Sequence, residues 1–542
     1  MMNLRCFAPS SLATPVALAA ATTVAVLVGG CSFNSGAPAS AALLPDCAAL
    51  QQVALPASVI LSSALVPAST ASANVPPLPA HCKLSVEVAP RTGVNGVRYA
   101  TRFELRLPQQ WNGRFQFMGG GGTDGNVRPA LGANHNGSRP ALADGYAVVS
   151  SDFGHQASDP RDASFGLDPQ ARIDWGYNAL DQVTTRAKTL IRAYYGRDAQ
   201  YSYYVGCSGG GRQALMASQR FASEFDGVVA GAPILEQHIA QTGSMQILQE
   251  FTAIAPTGAD GKPVLSRAFS DADLKLLQRD VLARCDALDG VADGIVQNTA
   301  ACAYSPAALQ CSGPKNDSCL SAGQVGALTR VLAGPRDSRG RALYEPYPID
   351  GGVINWRGAM LGTSATAVPN ASRATNTSVK YVFMTPPAPE FDYLTFNFDT
   401  DPARLLASGD YTATTSVDYR AFKARGGKAI IYMGIGDGLL NANGVRRWYE
   451  RLADANGGLQ ATQTFARYFP VPGMGHCSGG PALDNFDPFG AMVAWVEKGQ
   501  PPEQLVAKGT AFPGRTRPLC AYPKTARYLG GDVNAASSFR CE

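Results

Sequence analysis

Between a strand-like run at residues 201–205 and a helix-like run at 212–221, the chain places Gly206-Cys207-Ser208-Gly209-Gly210. A Gly-x-Ser-x-Gly pattern at a strand-to-helix junction is the sequence form of a strained turn that presents a serine hydroxyl at the top of a sheet. Glycines beside the serine relieve the steric conflict of such a turn, and a helix that starts just after it offers backbone N–H groups to a developing oxyanion. The pattern alone constrains little, because the chain holds 57 glycines and a glycine-rich turn before a helix is often only a turn. A second feature narrows the choice. Far downstream stands Gly475-His476-Cys477-Ser478-Gly479-Gly480, so the candidate serine and a histidine each have a cysteine as neighbour.

If Cys207 and Cys477 are bonded, their Cα atoms lie roughly 4.4–6.8 Å apart, and Ser208 and His476 are forced into one small volume. Closing so long a loop is worth about 2–4 kcal/mol, and up to about 5 kcal/mol in the chain-entropy model. The other reading is a structural disulfide that flanks a serine and a histidine by coincidence. With five histidines in the chain (His81, His135, His155, His238, His476), that coincidence is hard to sustain.

An acid is expected between the two, in the chain order serine, acid, histidine. Residues 427–433 read as a buried strand that runs into Gly434-Ile435-Gly436-Asp437, which places Asp437 at a strand's C-terminal end. Its other reading is a turn or cap residue before the helix expected at 445–452. Asp484 and Asp487 are rivals, but they follow the histidine. Gly119-Gly120-Gly121-Gly122-Thr123, after strand-like residues 115–118, has the form of a loop that supplies an oxyanion donor; otherwise it is a flexible loop.

Taken together, Gly-Cys-Ser-x-Gly-Gly-Arg at 206–212 and Gly-Met-x-His-Cys-Ser-Gly-Gly at 473–480 resemble the tannase and feruloyl esterase family. The likeness extends through residues 165–172, 285–296 and 515–520, and so covers nearly all of the chain from Cys47 onward. The resemblance implies an α/β-hydrolase fold with a mostly parallel central sheet and a large inserted lid domain. It implies Ser208 as nucleophile, His476 as base and Asp437 as the residue that orients it, with the N–H groups of Gly209 and Gly122 as oxyanion donors. It also implies five disulfides, Cys47 with Cys82, Cys207 with Cys477, Cys285 with Cys302, Cys311 with Cys319, and Cys520 with Cys541.

At 542 residues the chain exceeds a usual single domain. Strand-like segments at 103–107, 114–118, 146–150, 201–205, 227–230, 429–433 and 466–471 alternate with helix-like ones at 180–194, 212–221, 445–452 and 489–497, the pattern of a mostly parallel sheet covered on both faces. Between residues 232 and about 424 the alternation lapses. The expected organisation is a leader at 1–31, a small-residue tether at 32–46, a first core segment at 47–231, a lid at 232–424 and a second core segment at 425–542. The apolar run at residues 12–28 suits a secretory signal and is marginal for a membrane span. Its end, Leu27-Val28-Gly29-Gly30-Cys31, resembles a lipoprotein box in which Cys31 would be lipidated and tether the chain to a membrane; plain secretion after cleavage nearby is the alternative. Cys6 and Cys31 belong to this leader, which leaves ten of the twelve cysteines for an exported chain, an even number that suits disulfides. No Cys-x-x-Cys pair occurs, which argues against thiolate metal binding. A net charge of +4 without a basic block argues against a nucleic-acid partner.

Within the expected lid, Asp286 to Ile295 places three carboxylates in eight residues with glycines between, and hard oxygen ligands in a compact loop suit Ca²⁺. The resemblance implies the carboxylates of Asp286, Asp289 and Asp293 and the backbone carbonyls of Val291 and Ile295 as ligands of a structural ion; a solvated acidic turn is the other reading. No organic cofactor is implied. The expected ligand of the whole site is a small-molecule aromatic ester. In family members that hydrolyse a terephthalate monoester, an arginine four residues before the Phe of a Phe-x-Phe-Asp run receives the free carboxylate. Here the run is Phe396-Asn397-Phe398-Asp399, and four residues before it stands Asp392. A carboxylate would repel a carboxylate, unless another cation such as Arg404 or Lys380 reaches the pocket. The expectation is therefore an esterase for feruloyl, other hydroxycinnamoyl or gallate esters, with Phe396 stacked on the acyl ring or else part of the lid core. A terephthalate monoesterase comes second. A calcium-stabilised binding protein that has lost the chemistry is the alternative of a different class.

Overall fold

A computed structural model describes residues 46–72, 75–132, 139–159 and 161–542; the leader, Cys31 and nearly all of the tether lie outside the described residues. The frame is a nine-stranded sheet with the order β1-β2-β3-β5-β4-β6-β7-β8-β9. Its strands are β1 (Ser58–Val66), β2 (His81–Thr92), β3 (Arg98–Pro108), β4 (Arg114–Met118), β5 (Ala147–Ser151), β6 (Tyr201–Cys207), β7 (Gly227–Gly231), β8 (Lys428–Gly434) and β9 (Ala466–Val471). From β5 through β4, β6, β7 and β8 to β9 every neighbour is parallel, while β1, β2 and β3 form an antiparallel flank joined to β5.

The two halves of the sheet read differently in sequence because they are covered differently. In β7 and β8 nearly every residue is buried, so the strands are continuous apolar runs, as parallel strands covered on both faces must be. In β3, Phe103, Leu105 and Leu107 are buried while Arg102, Glu104 and Arg106 are half-buried, the period-two pattern of a sheet with one wet face. Successive side chains of the central strands enter opposite cores. Tyr204, Val228, Ala230 and Ile431 join one cluster, whereas Tyr203, Val205, Val229 and Ile430 join the other. Helices α1 (Ala179–Tyr195) and α2 (Gly209–Arg220) cover the first face, and the C-terminal helix Pro488–Lys498 covers the second through Met492 and Trp495.

The seven expected strands are all present; β3 starts five residues earlier than expected, β6 ends two later, and the remaining bounds agree to within one residue. Strands β1 and β2 are additions to the expected set. In β1, Val59, Leu61 and Leu65 point outward at about half exposure, and both ladders of β2 slip in register, between Ile60 and Ser62 and between Val88 and Arg91. Neither strand therefore carries an unbroken alternation for sequence reading to find. Helix α2 starts at Gly209, not Arg212, because close packing of its first turn overrides the poor helix propensity of three glycines. The chain between β7 and β8 has helices at Gln237–Ile254, Asp271–Cys285 and Ala322–Ala333 and a hydrophobic cluster of its own, with Phe251, Phe269, Leu328 and Trp356.

Candidate active site

Strand β6 delivers Ser208 at its C-terminal end with φ +63° and ψ −123°. Such backbone costs a residue with a side chain on the order of 1–3 kcal/mol and persists only where its surroundings fix it. Here the Ser208 N–H donates to the Gly231 carbonyl at the end of β7, and the Ser208 carbonyl accepts from Arg212, both at 3.0 Å. Glycine is required nearby by close approach. A Cβ on Gly210 would stand 2.8 Å from the Gly120 carbonyl oxygen, and one on Gly206 would stand 2.6 Å from the Gly210 carbonyl.

Gly209 is the first residue of α2, so its N–H has no partner within the helix. The 119–122 loop lies against it: a Cβ on Gly209 would be 3.1 Å from the Gly122 oxygen and 3.2 Å from Gly121 Cα. Gly122 itself has φ +62°, a conformation open to glycine. The two residues expected to supply oxyanion donors thus sit on facing segments.

His476 lies on the loop after β9. Its Nε2 is 2.8 Å from Ser208 Oγ, and its Nδ1 is 2.8 Å from Asp437 Oδ2. Asp437 follows β8 and its side chain is fully buried, while the His476 side chain keeps 25% of its surface open. Asp437 Oδ1 accepts turn hydrogen bonds from the N–H groups of Leu439 (2.8 Å) and Leu440 (3.1 Å), which leaves Oδ2 for the imidazole, while the cap of the following helix is Asn441. Burial of His476 disfavours the imidazolium, but the adjacent Asp437 carboxylate outweighs it and the net pKa is raised above 6.5. The rivals serve their own segments: Asp484 accepts from Gly479 N–H and Asp487 caps the C-terminal helix at Gly490. Cys207 and Cys477 are bonded with Cα atoms 6.1 Å apart, and the other four expected pairs are bonded as well.

Sequence reading missed two residues of the inserted segment that bind these loops, Asp350 the loop of His476 and Asn355 the loops of both Asp437 and His476. Asp350 accepts from the N–H groups of Gly352 and Gly473, each at 2.7 Å. Asn355 Nδ2 donates to the carbonyls of Gly436 (2.9 Å) and Gly473 (3.2 Å). A lone Asp and Asn in a stretch without periodicity give no local signal; only the fold brings them to Asp437 and His476.

In the acidic loop, Asp286 accepts from the N–H groups of Asp293 and Gly294, and Asp289 accepts from Val291 N–H. Asp289 Oδ2 is buried with no hydrogen-bond partner among the described residues, and burial, reinforced by the charges of Asp293 and Asp286, pushes its carboxyl up to about 6. Asp293 pairs with the buried Arg517 guanidinium and accepts from Ile295 N–H. With Asp293 so engaged, no group of three His, Cys, Asp or Glu side chains among the described residues stands converged on a cation position. The donor chemistry of the loop, with its orphaned carboxylate oxygen, nevertheless fits a hard cation.

Of the expected substrate residues, Phe396 is buried and packs edge-on between Phe391 (6.2 Å) and Phe398 (5.2 Å). Asp392 is exposed and its carboxylate caps the short turn Tyr393–Thr395 through Leu394 N–H. Arg404 is engaged by Asp401 at 3.2 Å. Asp392 and Arg404 thus find partners within their own segment, and Phe396 is buried in the hydrophobic cluster that also holds Tyr204 and Ile431 of the sheet.

The profile "Tannase and feruloyl esterase" matches residues 88–542. The chain is 42% identical over 536 residues to the mono(2-hydroxyethyl) terephthalate hydrolase of Piscinibacter sakaiensis, covering 90% of this chain and 88% of that one. It is 28% identical over 539 residues to a probable feruloyl esterase of Arthroderma benhamiae, covering 94% and 96%. The crystal structure of feruloyl esterase B from Aspergillus oryzae superposes with a TM-score of 0.77 at 25% identity, over 92% of this chain and 99% of that one. With an α/β-hydrolase sheet, a serine on a strained elbow and a match over most of its length, the chain belongs to the tannase and feruloyl esterase family and is a carboxylic-ester hydrolase.

Proposed function

We propose that the protein cleaves esters of aromatic acids through an acyl-enzyme on Ser208. The observation that carries this reading is the continuous relay from Ser208 Oγ through His476 to Asp437, with both contacts at 2.8 Å. His476 Nε2 takes the Ser208 proton as Oγ attacks the ester carbonyl, then returns it to the departing alcohol. Water activated by the same imidazole releases the acid. Asp437 holds the Nδ1–H tautomer and stabilises the imidazolium without taking the proton. The N–H groups of Gly209 and Gly122 receive the developing oxyanion, where loss of one donor typically costs about 10²–10³ in turnover.

For the acyl group we favour hydroxycinnamoyl and gallate esters, because Asp392 stands where a carboxylate-receiving arginine is expected. The 42% identity to a mono(2-hydroxyethyl) terephthalate hydrolase favours the second reading, a terephthalate monoester. Turnover of methyl ferulate, methyl gallate and mono(2-hydroxyethyl) terephthalate measured side by side decides between them. A preference for the terephthalate ester of about tenfold or more, equivalent to about 1.4 kcal/mol in the barrier, reverses the ranking. A fluorophosphonate probe should label the wild-type chain at Ser208 and leave Ser208→Ala unlabelled.

The Asp286, Asp289 and Asp293 loop would hold a structural Ca²⁺, with the carbonyls of Val291 and Ile295 completing the oxygen set. Bound there, the ion supplies charge neutralisation to the three carboxylates. Residues 232–424 would serve as the lid over the site. Five disulfides suit an oxidising compartment, which supports export. No helix among the described residues is long and apolar enough to cross a membrane; lipidation of Cys31 would tether the chain to one, and plain secretion is the alternative.

A further inference from the structure

We propose that Asp124 and Gln213 are a positioning pair that aims the Gly122 N–H, so that the oxyanion side of the site depends on a buried donor–acceptor relay and not on the glycine loop alone. The inference rests on the reading of Ser208 as nucleophile and of Gly122 and Gly209 as oxyanion donors.

Gln213 lies on α2 four residues after Gly209, one turn further along the same helix face. Its Oε1 accepts twice, from Gly120 N–H at 3.1 Å and from Tyr204 OH at 3.0 Å. Its Nε2 stands 3.1 Å from each carboxylate oxygen of Asp124. Asp124 closes the circuit by donating its own N–H to the Gly121 carbonyl at 3.0 Å, and its carboxylate occupies the space that a Cβ on Gly120 would need. The loop is further pinned at its ends, Gly119 N–H to Val205 O at 2.8 Å and Gly125 N–H to Asp152 O at 2.9 Å. Gly122 therefore sits between clamped residues on both sides. The clamp and the Gly209 donor belong to one helix, which fixes the spacing of the two donors to each other.

Backbone strain says the loop needs holding. Asp124 has φ +58° and Gly122 has φ +62°, and a non-glycine residue in that region costs about 1–3 kcal/mol. Tyr204, Gln213 and Asp124 are all buried. A buried carboxylate is costly in itself, and burial pushes the Asp124 carboxyl up to about 7 against the pull of Gln213 and Arg212. For stability alone an apolar pair would serve as well; a polar pair specifies one loop geometry.

The polarity of the relay is set. Because Oε1 faces two donors, Nε2 must face Asp124, and Asp124 must accept. Asp124→Asn keeps Oδ1 as an acceptor and puts an NH₂ in place of the other oxygen, against the Gln213 NH₂, so one of the two Nε2 contacts is replaced by a clash of donors. The double variant Asp124→Asn/Gln213→Glu restores a consistent set with the same net charge, because the carboxylate introduced on α2 can accept from Gly120 N–H, from Tyr204 OH and from the amide introduced on the loop.

The test measures kcat, KM and affinity for an aryl boronate, which forms a tetrahedral adduct on the serine, in the full-length chain. Asp124→Asn is expected to lower kcat and boronate affinity together by about tenfold, below the 10²–10³ typical of an absent oxyanion donor, with KM within about twofold. The double variant should recover to within about threefold of wild type. Tyr204→Phe keeps the Gly120 bond and should cost less than about threefold, which provides a reading should Asp124→Asn fold poorly. Unchanged kcat in Asp124→Asn, or a loss that the double variant does not recover, overturns the proposal. Ser208→Ala separates the two levels: if it abolishes turnover while Asp124→Asn is silent, only the positioning role falls, whereas turnover surviving in Ser208→Ala removes the reading beneath it.

Discussion

His476 is pulled two ways, by burial that disfavours its charge and by Asp437 that favours it, and the carboxylate wins. Because its folded pKa lies above 6.5, the charged pair adds stability that is fully present below that value and is lost as pH rises through the raised one. In the proposed mechanism activity runs the opposite way, since only neutral imidazole can accept the Ser208 proton. The acidic limb of kcat/KM should therefore inflect above pH 6.5. Asp437→Asn should move the inflection down and lower kcat by about 10²–10⁴, the upper end being the loss seen when a triad acid no longer sets the tautomer. A pH–rate profile on one aromatic ester checks both; a wild-type limb below 6.5 would contradict the dominance of Asp437.

At the scale of elements, the candidate site is assembled where β6, β8 and β9 end, and Ser208, Asp437 and His476 each follow a parallel strand. Cys207 is the last residue of β6 and Cys477 follows His476, so the bond with Cα atoms 6.1 Å apart ties the strand before Ser208 to the loop that bears His476. Cys477 has φ +67°, and the loop turns through it to aim the imidazole. Replacing both cysteines by alanine is expected to cost about 2–4 kcal/mol of stability and a separate loss of about 10² in kcat, the scale of a catalytic group displaced by about 1 Å. Turnover and far-ultraviolet circular dichroism followed together through a denaturant titration distinguish the two. If activity disappears only as the sheet unfolds, the bond has no role of its own in placing His476.

Over the whole molecule, the inserted segment both lines its own core and meets the loops that bear Asp437 and His476 through Asp350 and Asn355. Its acidic loop also meets the C-terminal region: Asp293 pairs with Arg517, and Arg515 donates to the Asp293 carbonyl. A cation bound among Asp286, Asp289 and Asp293 would therefore stabilise two distant stretches of chain at once. Saturation at about 100 times Kd corresponds to about 2.7 kcal/mol. Chelation with EGTA should lower the melting temperature and added Ca²⁺ should restore it, while Asp289→Ala should melt at the lower temperature with or without the ion. A melting temperature indifferent to both treatments would leave the loop as a hydrogen-bonded acidic turn.

The sequence by itself determined the family resemblance and the order of the proposed catalytic residues along the chain. Ser208, Asp437 and His476 stand in motifs whose neighbours, glycines and cysteines, are written locally, and the buried central strands announce themselves as unbroken apolar runs. The tertiary structure alone decided what long-range packing controls. It added an antiparallel flank whose strands slip in register, started α2 at Gly209 so that Gly209 and Gly210 could meet the glycine loop, and buried Phe396 in the cluster it shares with the sheet. It also brought Asp350, Asn355, Asp124 and Gln213 to the site. A single Asp, Asn or Gln has no periodicity and no motif, and its role arises from which backbone N–H or carbonyl the fold carries to within about 3 Å of it.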